Sequence, residues 1–119
     1  METRSFADYL RALDDQALLA LFALRPDLVS PVPPEFSSLA IRASSSPSLA
    51  RAIDSLNEWQ FQVLEACAAL KEPFTEKEII ALTDASAKFV IPHLLALALI
   101  YGGPKGYWLP NSLREVLGN

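Results

Sequence analysis

Apolar residues recur at helical spacing along most of this chain. Phe6, Tyr9, Leu10 and Leu13 share one face of an expected helix, Phe6–Leu13, with Ser5 placed to cap it. Leu18, Leu19, Leu21, Phe22 and Leu24 make the next segment, Gln16–Leu24, apolar most of the way round. Such a helix is expected to be buried on several sides, and Asp14 or Asp15 supplies its cap. Arg25-Pro26-Asp27 stops it, because proline cannot continue a helix. Ser30-Pro31-Val32-Pro33-Pro34 then reads as a stiff extended link, polyproline II in part. Glu35–Ala43 follows as a third helix opened by Pro34, with Phe36, Leu39 and Ala40 apolar. After Ser44-Ser45-Ser46-Pro47, with Ser46 as cap, Leu49, Ile53 and Leu56 mark a fourth, Ser48–Leu56.

The second half begins with the longest expected helix, Glu58–Leu70, capped by Asn57 and buried through Phe61, Val63, Leu64, Cys67, Ala68 and Leu70. Thr75-Glu76-Lys77-Glu78 matches a capping box and introduces Ile79, Ile80 and Leu82, expected to be mostly core. Ser86 is placed to cap Ala87–Leu99, in which Pro92 should kink the helix or sit over a distorted turn. Ile100-Tyr101 and Tyr107-Trp108-Leu109 flank Gly102-Gly103-Pro104-Lys105-Gly106, a hairpin signal with a rather long loop. Asn111 caps a last helix, Ser112–Leu117, stopped by Gly118. Two helices, a short strand, a glycine-rich turn, a second strand and a helix are the element order of a winged helix. The expected fold is therefore mainly α: an N-terminal helical subdomain, residues 1–56, packed on a winged helix with a short β-hairpin wing, residues 57–119.

Composition changes what this architecture can do. The chain is 51% hydrophobic and 20% charged, which supports a buried core and argues against disorder. Its formal net charge is −4. Nucleic-acid domains usually carry a basic surplus, since phosphate contacts supply much of their affinity. From Asn57 onward Lys71, Lys77, Lys88, Lys105 and Arg114 face seven acidic residues, so the winged half is acidic as well. Cys67 is the only cysteine, which excludes an internal disulfide and fits a reducing cytoplasm. The opening residues, Met1 to Ala7, show no apolar leader core, and no apolar run approaches the ~20 residues of a membrane span. A soluble cytoplasmic protein is expected.

The chemistry-bearing residues are few. In a winged helix the helix before the hairpin meets the major groove and the wing meets backbone or minor groove. That nominates Ser86, Lys88, Phe89 and His93, with Lys105 at the wing tip, Lys77 for phosphate, and Trp108 or Tyr107 for stacking. The same helix is dominated by Val90, Ile91, Leu94, Leu95, Leu97 and Leu99, and offers no Arg, Asn or Gln to base edges. His93 is the only histidine and Cys67 lies on another helix, so neither a metal set nor a nucleophile–base pair is expected. The serine run lacks a G-x-S-x-G frame, and the glycine-rich turn lacks the spacing of a phosphate loop. No catalytic, cofactor or small-molecule site is expected. The leucine-rich surface of a domain this small can instead leave an apolar patch for a neighbour.

Several segments resemble a bacterial helicase-associated family, whose members are described as similar to the N-terminal region of XPB-type DNA helicases. They are Ser5-Phe6-Ala7-Asp8-Tyr9-Leu10-Arg11-Ala12-Leu13, Arg25-Pro26-Asp27-Leu28 with the proline-rich link, Ser48–Leu56, Phe61–Ala66, Leu99–Gly102, Leu109-Pro110 and Leu113–Gly118. The resemblance covers nearly the whole chain, through packing and capping patterns rather than catalytic motifs. It implies a DNA-transaction context, a winged-helix-like fold and membership of a longer polypeptide. No Walker motif is present, so helicase activity is not implied. Two functions stand open: a non-enzymatic module docking DNA or a partner, and a pure protein-interaction module. A cluster of Lys77, Lys88 and Lys105 on one face would favour DNA. An exposed Leu/Ile patch ringed by glutamate would favour protein.

Overall fold

The computed structural model describes residues 5–118. Of the stretch expected to lack a leader core, residues 1–4 lie outside the described residues. The described chain is mainly helical with one small antiparallel sheet of two strands. Helix α1 (Phe6–Ala12) starts where expected, and α2 (Asp15–Leu24) one residue earlier, with Asp14 as its cap. Ser5 Oγ accepts from Asp8 N–H, and Asp14 Oδ1 from Ala17 N–H, each satisfying a donor that the first turn leaves orphaned. A 3₁₀ turn, Pro26–Val29, leads through the proline-rich link to α3 (Phe36–Ala43), α4 (Ser46–Asp54) and α5 (Glu58–Ala69). Asn57 and Gln60 close a reciprocal capping box at the start of α5. Thr75 and Glu78 close the second box, at α6 (Glu76–Leu82), as their spacing predicts.

Several boundaries differ from expectation. Glu35 precedes α3, so Pro34 lies outside that helix. Ser45, not Ser46, precedes α4, which leaves Pro47 in its first turn. Asp84, not Ser86, caps the segment after α6; its Oδ1 accepts from Ser86 N–H at 2.8 Å and from Ser86 Oγ at 2.5 Å. A carboxylate is the stronger acceptor there, being an anion at the positive end of a helix. The expected helix Ala87–Leu99 is two elements, a 3₁₀ helix Ala85–Phe89 and α7 (Ile91–Ala96). Pro92 falls in the first turn of α7, where its missing N–H costs nothing, so it starts a helix instead of kinking one. α7 also closes early. Ala98 takes φ 54°, and the N–H groups of Ala98 and Leu99 donate to the carbonyls of Leu95 and Leu94, both at 3.0 Å. This is a Schellman closure with alanine where glycine is usual.

Strands β1 (Tyr101–Gly103) and β2 (Gly106–Trp108) pair as Tyr101↔Trp108, Gly102↔Tyr107 and Gly103↔Gly106. The loop is therefore only Pro104-Lys105, shorter than expected, because the glycines on either side belong to the ladder. Phe74 adds an isolated bridge to Tyr107 through reciprocal backbone bonds of 3.1 and 2.8 Å. Helix α8 (Leu113–Gly118) begins after Ser112, which has φ 75°, and includes Gly118 rather than stopping before it.

Two apolar cores form, and each draws members from both sides of position 56. Leu49 and Ala52 of α4 pack in the larger, C-terminal core with Leu64, Phe74, Ile79 and Leu94. Ala98 packs in the smaller, N-terminal core with Leu10, Leu21, Leu28 and Leu39. Between the halves lies Arg25, 1% exposed. Its guanidinium donates to the carbonyls of Leu97 (2.9 Å) and Ala43 (2.8 Å) and to Ser48 Oγ (2.8 Å). Ser48 Oγ in turn donates to Asp27 Oδ2 at 2.6 Å. Ala43 ends α3 and Leu97 caps α7, so one buried cation sits at the negative ends of two helices. Burial lowers the Arg25 pKa to about 10, with Asp27 opposing the change, and the side chain keeps its charge at neutral pH.

Candidate interaction surfaces

The six residues expected to touch nucleic acid are spread over four elements and the hairpin turn. Lys77 lies in the first turn of α6, Lys88 and Phe89 at the end of the 3₁₀ helix, His93 on α7, Lys105 in the hairpin turn and Trp108 on β2. Lys77, Lys88 and Lys105 are exposed and form no ion pair among the described residues. Lys88 Nζ rests 5.2 Å from the centroid of the Phe89 ring, and that ring is 74% exposed. Ser86 is engaged by Asp84. The side of α7 away from the core carries exposed Pro92 with half-buried His93 and Ala96; Ile91 and Leu94 are buried in the larger core and Leu95 packs against it.

The hairpin is flanked by aromatic rings and carboxylates. Tyr107 points inward against Phe74, and Trp108 takes the outer face, as the alternation of a strand requires. Trp108 stacks on Tyr101 at 6.2 Å, and Tyr101 in turn meets Phe6 at 5.0 Å and Tyr9 at 5.6 Å. This aromatic pile ties α1 to the sheet and occupies part of the ring surface that a base would use. Glu72 accepts from Leu109 N–H at 2.7 Å and pairs with Arg114 at 3.2 Å. Burial, and then Glu72, raises the Tyr101 pKa; burial, and then Glu76, raises that of Tyr107. Glu72 and Glu76 thus stand near the root of the hairpin, and Arg114 balances the charge of Glu72.

Apolar side chains expected in the core are partly outside it. On α2 only Leu21 is buried, while Leu19 is 68% and Leu24 41% exposed. A helix apolar on all sides needs neighbours on all sides, and α2 is left open on one. Its Leu18 and Phe22 form, with Val29, Val32, Pro33 and Phe36, a groove of about 460 Å³. Arg11 stands at the edge with its guanidinium 5.8 Å from the Phe36 ring. On α6, Ile79 is buried but Leu82 is 54% exposed. Leu82 lines a second groove of about 410 Å³ with Trp59, Gln62, Glu65 and Ala66 of α5 and with Thr83 and Asp84. Helical periodicity marks these leucines as apolar; it carries no count of the helices available to cover them.

Cys67 is buried on α5, and burial raises its pKa to about 12. The thiolate is the reactive species, so the native chain is expected to resist iodoacetamide near neutral pH and to take up one label per chain in denaturant. Rapid native labelling, followed by mass spectrometry, would contradict this environment. Among the described residues no group of three or more His, Cys, Asp or Glu side chains is placed to hold a metal ion. No helix among them is long and apolar enough to cross a membrane. No family profile, curated protein sequence or solved structure matches the chain.

Proposed function

We propose that this chain is a non-enzymatic docking module with a winged-helix-like C-terminal half, and that its partner is a protein rather than DNA. The winged-helix reading is supported by the order α5, Phe74 bridge, α6, α7 and hairpin. The choice of partner rests on α7. In that fold this helix would read base edges, yet here it exposes Pro92, packs Leu95 against the larger core and offers one polar side chain, half-buried His93. The exposed leucines of α2 and α6 point the same way. A helicase-associated setting, as the sequence resemblance implies, gives such a module a place: it would orient one component of a DNA transaction against another.

The competing reading has its own support in Lys77, Lys88 and Lys105, all exposed and without ion pairs. Fluorescence anisotropy against labelled single-stranded and duplex DNA decides between them. At moderate salt no saturable binding is expected. Saturable binding that weakens with salt and disappears in a Lys88→Glu/Lys105→Glu double variant would overturn the protein reading. With so few phosphates engaged, the log–log salt slope would be shallow, near −0.9 per duplex contact.

A further inference from the structure

The groove between α5 and the corner that follows α6 has an apolar floor and an anionic rim. Trp59, Ala66 and Leu82 supply the floor, and Glu65 and Asp84 the rim. No basic residue lines it. Glu65 is exposed and forms no ion pair among the described residues. Asp84 spends both of its hydrogen bonds on Oδ1, to Ser86, which leaves Oδ2 open to a further donor. Those bonds also lower the Asp84 pKa, so the carboxylate remains charged well into acid. At about 410 Å³ the groove falls within the range of roughly 300–1,000 Å³ typical of ligand pockets.

From this complementarity we infer that the groove receives a cationic segment of a partner protein, one that places an aliphatic side chain on Leu82 and an adjacent lysine or arginine between Glu65 and Asp84. The inference rests on the protein-docking reading and names its surface. Leu82 is 54% exposed in the isolated chain, so covering it removes apolar area from water. Trp59 contributes an aromatic ring that also favours a cation. An acidic or neutral polar segment would leave two carboxylates facing like charge or unmatched, so the groove discriminates by charge as well as by shape. Gln62, exposed on the wall, can bond the backbone of an incoming chain.

Trp59 reports occupancy directly. The chain has two tryptophans, so Trp108→Phe leaves Trp59 as the sole indole. A short synthetic peptide of lysine, leucine and alanine, titrated into this variant, is expected to shift Trp59 emission saturably. Peptides with glutamate in place of lysine, or serine in place of leucine, should not. Glu65→Lys and Leu82→Ser, both at solvent-exposed positions, should each weaken binding about tenfold, or ~1.4 kcal/mol, with circular dichroism unchanged. Equal binding of the acidic peptide, or binding indifferent to both substitutions, would overturn the inference. So would a concentration-dependent emission change without peptide, since a second copy of the chain would then be the occupant. Failure here with no DNA binding in the anisotropy experiment removes this groove alone; saturable DNA binding removes the protein reading beneath it.

Discussion

Arg25→Ala should lower folding stability by about 3–5 kcal/mol, measured as a reduced midpoint of urea unfolding followed by circular dichroism. The substitution removes hydrogen bonds to Leu97 O, Ala43 O and Ser48 Oγ at once. It leaves the ends of α3 and α7 with dry carbonyls, and it opens a cavity where a large, fully buried side chain stood. Domains of this size are stable by about 5–15 kcal/mol, so the alanine chain should lie near the edge of folding at 25 °C. Arg25→Lys should recover little. One ammonium on a flexible stem cannot span two carbonyls and a hydroxyl as the planar fork does. Wild-type stability in the lysine variant would show that charge alone, rather than this geometry, holds the two halves together.

Gly102→Ala should be the most damaging substitution in the hairpin. Gly102 has φ 120°, and a Cβ there would lie 2.4 Å from the carbonyl oxygen of Gly106 and 3.1 Å from the Trp108 ring. Backbone strain alone costs about 1–3 kcal/mol, and the overlap with a paired backbone atom adds to it. The neighbouring Gly103 provides the control. A Cβ built there meets nothing within 4 Å, so Gly103→Ala should be close to neutral. Thermal unfolding should separate the two variants by several degrees. Near-ultraviolet circular dichroism should change only for Gly102→Ala, as Trp108 loses its place on Tyr101. Equal melting of the two would contradict the pairing of Tyr101 with Trp108.

The reach of the sequence can be judged element by element. Thr75-x-x-Glu78 and the Asn57 cap were legible because the donor and acceptor lie three residues apart. The end of α7 was hidden because an alanine, not a glycine, takes the left-handed turn at Ala98. The hairpin was found, but its loop was overestimated, since glycine marks both a turn and a close-packed ladder. Arg25 looked like part of a helix stop; its partners lie 18, 23 and 72 residues away, and nothing local announces them. Of the candidate surfaces, the exposed lysines Lys77, Lys88 and Lys105 are legible by residue type alone. The groove at Leu82 was not, because exposure there depends on which helices fail to cover it.

The Ala98 turn has a consequence for synthesis on the ribosome. Chains generally fold from the N-terminus as they emerge. Here Ala98 adds its methyl group to the N-terminal core, and Nη1 of Arg25 finds its acceptor only when the carbonyl of Leu97 arrives. Until then α1 to α3 can collapse but not lock. A nascent chain stalled before residue 97 should remain open to protease, while one long enough to free residues 97 and 98 from the exit tunnel should begin to resist it.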